Sequence, residues 1–178
     1  MSEYLTKAFV LNFKITKEND KIYNLFTENF GRLNVVAPGS LKILSRLSGH
    51  LEIGNLLKVK IVEKNALTIV DALTLKNFLL FSSQNNQFLS QALMIANILK
   101  TITPLGVPDW RIWNLLLNFF KTQNVNFKEL LSFLGYDVKN GRCVLCGKKT
   151  AFVFDLYDQN FLCEDCSLNF PSDHLLYI

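Results

Sequence analysis

The four cysteines of this 178-residue chain fall as two Cys-x-x-Cys pairs near its end: Cys143 with Cys146, and Cys163 with Cys166 after sixteen intervening residues. Two residues between cysteines let one tight turn aim both sulfurs at a single point. Two such turns facing each other complete the tetrahedral all-thiolate shell that zinc prefers. Gly147 follows the first pair, where a small residue lets backbone N–H groups approach the sulfurs. No cysteine is left over as a nucleophile and no histidine falls inside the motif. A closed four-sulfur shell leaves no position for substrate, so the expected cofactor is one structural Zn²⁺. Two disulfides are the weaker alternative for a chain of this type.

The length allows one large domain or two small ones, and an apolar fraction of 49% with fifteen phenylalanines supplies a packed core. Residues 1–7 contain no apolar signal-peptide core, so secretion is not expected. The longest charge-free run, Asn77–Leu99, carries the polar stretch Ser82–Gln87 in its middle, which a bilayer would not tolerate. A soluble cytosolic chain is therefore expected. Its charge is unevenly spread. Residues 1–77 hold eleven Lys/Arg against seven Asp/Glu, whereas residues 78–178 hold eight of each. The whole positive surplus of four lies in the first half, the half suited to face a polyanion.

Five strands are expected in that half. Residues 4–15 place Leu5, Phe9, Leu11, Phe13 and Ile15 on one parity, with Lys7 the exception. Residues 21–27 follow the turn residues 17–20, and 33–37 follow a turn at Phe30–Arg32 and stop at Pro38-Gly39. Residues 40–50 read as a loop or one helical turn. Residues 51–63 carry Leu57, Val59 and Ile61 on one face and Lys58 and Lys60 on the other. Residues 66–76 put Leu67, Ile69, Leu73 and Leu75 on one parity. Five one-faced strands in so short a span fit a small closed barrel of the oligonucleotide-binding (OB) type.

After Lys76 the period lengthens. Phe88, Ala92, Ile95, Leu99 and Ile102 form a helix face, broken by residues 103–108. Residues 109–122 are apolar on most sides and are expected to be largely buried. Asn126 and Glu129 open a short helix burying Phe127, Leu130, Leu131 and Leu134, which Gly135 ends. Between the cysteine pairs, residues 151–157 and 161–162 flank Asp158–Asn160 as a hairpin. The expected class is α+β and multidomain: an OB-type barrel at 1–77, then a helical domain at 78–178 carrying a zinc ribbon at 143–166.

This order, a basic barrel, a helical bundle and a four-cysteine ribbon entered through Leu134-Gly135-Tyr136, resembles the bacterial RecO recombination-mediator family. The local matches are Leu25-Phe26-Thr27-Glu28 with Gly31-Arg32; Val36-Ala37 and Gly39 leading to Ser45-Arg46-Leu47; and Leu51-Glu52, Gly54-Asn55-Leu56-Leu57. The resemblance implies a non-enzymatic, nucleoid-associated protein of DNA repair and recombination in the bacterial cytoplasm. It would bind single- and double-stranded DNA and anneal strands. It would also load recombinase on strands coated by single-strand-binding protein, with RecR as partner. Members of that family are longer, and residues 76–126 read as a trimmed helical bundle.

For DNA the first candidates are Lys42 and Arg46 in the loop after the third strand, with Arg32 beside it. Lys7, Lys14, Lys58 and Lys60 come second, each also readable as solvated surface. Tyr4 and Tyr23 are candidates for stacking bases or for closing the barrel ends. Lys148 and Lys149 would carry DNA contact if the ribbon itself touched it. His50 and His174 read as satisfied or surface histidines. Asp155, Asp158, Glu164 and Asp165 read as solvated turn residues rather than a nuclease centre. No phosphate-cradling glycine loop or triad spacing is present, so no enzyme, small-molecule substrate or membrane partner is expected. The alternative reading is a zinc-stapled interaction scaffold, using the apolar helix 109–120, with incidental DNA binding.

Overall fold

Ser2–Ile15 (β1), Lys21–Thr27 (β2), Gly31–Ala37 (β3), Leu56–Glu63 (β4) and Leu67–Lys76 (β5) are the strands of the first half, and β1 and β2 carry runs buried on both faces. They close as a barrel in the order β1-β2-β3-β5-β4, with β4 pairing back to β1. Neighbours are antiparallel except β3 and β5, which meet in parallel at Val36 and Thr68. The computed structural model describes residues 2–16, 20–42, 45–77, 86–149 and 152–178. The turn residues 17–19 and most of the polar stretch 82–87 lie outside them. The chain divides into two units, Met1–Asn124 and Val125–Ile178. The boundary expected at 77/78 thus falls inside the first unit.

The first-strand apolar row does not share one face. Ala8 and Val10 point into the barrel with Tyr23, Leu25, Val35, Leu57, Val59, Ile61 and Ile69. The pairing of β1 with β2 slips between Val10 and Asn12, so Leu11 is an extra residue. A bulge of this kind inverts every position beyond it. Phe9 and Leu11 lie buried, whereas Phe13 and Ile15 stand exposed at the barrel mouth. The last strand is split likewise. Ile69 and Ala72 face the core, while Val70 is skipped by the register and Leu73 and Leu75 are exposed. The fourth strand starts at Leu56, not at 51. Leu51 is instead buried with Leu47 against the barrel core, as a plug.

Asn86–Ile102 (α1) and Trp110–Thr122 (α2) cover one outer side of the barrel. The Asp109 side chain caps α2 by accepting from the Arg111 N–H at 2.9 Å. Phe9 meets Phe120 edge-on at 5.8 Å, and Phe88 stacks on Phe119 at 4.7 Å. Pairs of this geometry add about 0.5–1.5 kcal/mol each beyond their burial. The expectation of a largely buried second helix holds for Ile112, Trp113, Leu116, Phe119 and Phe120, but Trp110 is 72% exposed. It occupies the first helical position, before the apolar face begins. No helix among the described residues is long and apolar enough to cross a membrane.

In the second unit, Phe127–Phe133 (α3) starts where expected: the Asn126 side chain accepts from the Glu129 N–H at 3.2 Å. Gly135 follows at φ +95°, in the left-handed region that ends helices. The hairpin Val153–Asp155 (β6) and Asn160–Leu162 (β7) gains a third strand that sequence reading missed, Leu175–Tyr177 (β8), in the order β7-β6-β8. Glu164–Ser167 (α4) is a single turn holding the second cysteine pair. Tyr136, Phe154 and Phe161 form an edge-on aromatic file beneath the sheet.

Candidate metal centre and nucleic-acid interface

Each cysteine pair is formed by a local backbone turn. After Cys143, the Gly147 N–H returns to the Cys143 carbonyl at 2.8 Å, and the Cys143 N–H donates to the Lys148 carbonyl at 2.9 Å. Gly147 sits at φ +73°, a conformation that favours glycine. The second pair straddles the start of α4, where the Ser167 N–H donates to the Cys163 carbonyl at 3.0 Å. Cys143 and Cys163 are buried with Val153, Leu162 and Leu175, while Cys146 is exposed. All four Sγ atoms lie within 4.8 Å of one another, and Cys146 to Cys163 is 3.6 Å. Zn–S bonds of about 2.3 Å would set tetrahedral sulfurs about 3.8 Å apart. A disulfide needs about 2.05 Å, and all four cysteines are free.

The electrostatics of the sulfurs also ask for a cation. Burial raises the Cys143 thiol, but N–H groups of Cys163, Cys146 and Leu145 aimed at its sulfur outweigh this and bring it down to about 6. Cys166 is pushed up to about 12, first by its hydrogen bond with Cys163 and then by burial. The two neighbouring thiols are thus shifted in opposite directions. A divalent ion at the centre would let all four become thiolates. The donor set fits such an ion. Lys148 and Asp165 bridge the two turns at 2.6 Å, so Lys148 is already paired. Asp155 is buried and accepts from the Tyr157 N–H at 3.0 Å.

The cations expected to meet DNA, together with Lys21, fall in three places. At one mouth of the barrel, the ends of β1 and β3 meet the start of β2: Ile15 pairs with Lys21, and Lys21 with Ala37. The Lys21 N–H donates to Ser40 Oγ at 3.1 Å, and the Gly39 N–H donates to Asp20 Oδ1 at 2.6 Å. Lys42 folds its stem back over Gly39. Arg46, exposed, immediately precedes the plug residue Leu47. This rim holds Lys14, Lys21, Lys42 and Arg46. Its Lys21 Nζ lies 4.0 Å from the Phe13 ring centroid.

A second group stands on the outer face of β1 and β4, where Lys7 and Lys58 are register partners. Here Lys7 pairs with Glu28 at 3.3 Å and Lys60 with Glu3 at 2.8 Å, so much of the charge is already answered. The third place is Arg32 alone. Its Nη1 donates to the Lys100 carbonyl in the last turn of α1 at 2.8 Å, and burial lowers its pKa below the ordinary guanidinium value. A guanidinium at a helix C-terminus satisfies an orphan carbonyl and the helix dipole together. Arg32→Ala is expected to lower stability by about 1–2 kcal/mol in denaturant unfolding. Tyr23 is buried within the barrel, and Tyr4 closes the opposite end by donating to Glu63 at 2.7 Å. His50 Nδ1 is 2.8 Å from Thr74 Oγ1, which ties the plug loop to β5.

Sequence reading missed the joint between barrel and helices. Glu28 accepts from the Trp113 indole at 3.1 Å as well as from Lys7, and the Arg32 carbonyl accepts from the Gly106 N–H at 2.8 Å. Three residues quoted above as family-like, Glu28, Gly31 and Arg32, thus form one latch. The only sequence signal was their closeness to one another.

A family model described as "Recombination protein O N terminal" matches residues 1–95, spanning the whole barrel and the first part of α1. Relatives named "DNA repair protein RecO" include one from Mesoplasma florum, 25% identical over 98% of this chain and 71% of that protein. Another, from Syntrophomonas wolfei subsp. wolfei, is 27% identical over 91% of this chain and 69% of its own length. A third, from Caldanaerobacter subterraneus subsp. tengcongensis, is 24% identical, covering 91% and 70%.

Proposed function

Because the chain belongs to the RecO family, whose N-terminal model covers its barrel, we propose that it acts in DNA repair and recombination by binding DNA at the barrel rim. The family match is the observation that carries this reading. The rim supports it: Lys14, Lys42 and Arg46 are exposed there, and Lys21 joins them. The five-stranded ring has the strand number of an OB-type barrel, a fold that binds nucleic acid across one face and its bordering loops. Arg32 leaves the DNA set because its guanidinium is engaged by α1. Lys7, Lys58 and Lys60 form a weaker secondary face, two of them carrying carboxylate partners.

The finer steps are part of the same proposal. The chain would bind single and double strands, anneal complements, and help load recombinase on strands coated by single-strand-binding protein, with RecR as partner. Such a role is carried out at the nucleoid in the bacterial cytoplasm. The four cysteines would hold one structural Zn²⁺ that stabilises the second unit without entering any reaction.

The test is oligonucleotide anisotropy on the full-length protein at two salt concentrations. Lys42→Ala/Arg46→Ala should weaken binding and shallow the salt slope by about one unit per lost phosphate contact, so by about two. Arg32→Ala should leave that slope as it is. Unchanged affinity and slope in the double variant would sink the rim assignment.

A further inference from the structure

We propose that Phe13 is a base-stacking platform on the cationic rim, so that this rim prefers unpaired strands to duplex. The inference rests on the DNA-binding reading above and specifies its substrate. Cations alone read phosphates, which duplex and single strand both offer. An aromatic face is different, because only an unstacked base can lie on it.

The geometry singles out Phe13 among the phenylalanines of the strands. Phe9 and Phe26 on β1 and β2 are buried, at 0% and 1% exposure, whereas Phe13 is 37% exposed. The Leu11 bulge is what turns it to the barrel mouth, opposite Tyr23 in register. Tyr23 backs the ring at 5.6 Å between centroids, with the planes tilted by 48°. That buried neighbour restrains the ring without covering it. Lys21 holds its ammonium 4.0 Å from the ring centroid. This is a cation–π contact over one face of the ring, so a base stacking on that face would displace the ammonium toward its own phosphate. Ile15, 58% exposed, and Leu41, 38% exposed, extend the apolar strip on the same rim. The acidic neighbour Asp20 is taken up by the Gly39 N–H at 2.6 Å. Glu52 is a further described carboxylate near the mouth; burial first, and then this charge, push the Tyr23 phenol up to about 12. With Lys14, Lys21 and Lys42 opposing these two acids, the strip remains net cationic.

The experiment compares full-length protein with Phe13→Ala, Phe13→Leu and Phe13→Tyr variants. The probes are a labelled thymine homopolymer and a labelled duplex of equal length, each at two salt concentrations. Phe13→Leu keeps an apolar side chain and so guards against a folding defect, which circular dichroism monitors. The expected result is a roughly fivefold to hundredfold loss of single-strand affinity for both Ala and Leu. Duplex affinity and both salt slopes should stay close to the parent, and Phe13→Tyr should restore single-strand binding. Lys21→Ala should instead weaken both substrates and shallow both slopes by about one unit. Equal losses on both probes, or single-strand affinity untouched by Phe13→Leu, would overturn the stacking role alone. A parent protein that binds neither probe would overturn the DNA-binding reading and the platform with it.

Discussion

Cys163→Ser is expected to unfold residues 125–178 as a unit while leaving the barrel's thermal transition in place. The unit is small, with α3, three three-residue strands, one turn of helix and a 3-10 turn at Ser172–His174 as its described regular elements. Chains of this size bury too small a share of their surface to be secure without a staple. A metal held by the four sulfurs would lie inside the core: Cys143 and Cys163 are themselves buried against Val153, Leu162 and Leu175. A structural zinc site in a small module contributes on the order of 10 kcal/mol. Serine removes one thiolate ligand and leaves an open shell. Chelation of the parent protein should reproduce the variant, and zinc added back should reverse it. Calorimetry with far-ultraviolet circular dichroism follows both transitions. Cobalt in place of zinc should show sulfur-to-metal charge transfer that weakens in the variant. A Cys163→Ser chain that melts like its parent would mean the four sulfurs are not a metal staple.

Gly31→Ala is expected to cost roughly 4 kcal/mol or more, an effect in the exceptional range for one methyl group. Gly31 lies at φ +62°, and a Cβ built there would stand 2.0 Å from the Val107 carbonyl oxygen and 2.2 Å from its carbon. The obstacle is backbone and cannot swing aside. The strand from Gly31 is pinned there by the Arg32 carbonyl accepting from Gly106 and by Thr27 Oγ1 donating to the Gly31 carbonyl at 2.8 Å. Gly39→Ala is the control. It has nearly the same φ, +64°, yet its Cβ would meet only the Lys42 side chain, at 3.4 Å. That variant should lose about 1–2 kcal/mol, the left-handed penalty alone. Urea midpoints of the two variants separate clash from conformation; equal midpoints would contradict the close approach at Val107.

Local features of this chain were legible in sequence and distant ones were not. Two residues between cysteines fix a turn by themselves, so the four sulfurs could be grouped before any fold was known. The Asn126 cap with Glu129 is likewise contained within four residues. The bulges at Leu11 and Val70 were invisible because neither carries a glycine or proline to mark it, yet each inverts the facing of everything beyond it. That is why Phe13 first read as core. The contact of Arg32 with the Lys100 carbonyl could not be read in advance, because that acceptor is 68 positions away. Glu28 stood out only as part of a family-like run, its role hidden for the same reason, with Trp113 lying 85 positions along the chain. Leu175–Tyr177 is too short to announce itself as a strand until β6 offers it an edge.

The scaffold alternative drew on the apolar helix at 109–120. Much of that surface is spent on Phe9, Phe88 and the barrel wall, with Trp110 as the principal exposed remainder. This removes most of what a partner protein would have had to cover. It leaves the cationic rim as the stronger candidate for a working surface.

Hydrogen exchange of the full-length, zinc-loaded protein with and without a single-stranded oligonucleotide tests that placement most directly. Protection is expected in peptides containing Phe13, Lys21 and Lys42–Arg46, with little change across residues 143–166. Protection confined to the cysteine turns, with the rim exchanging as in the free protein, would contradict it.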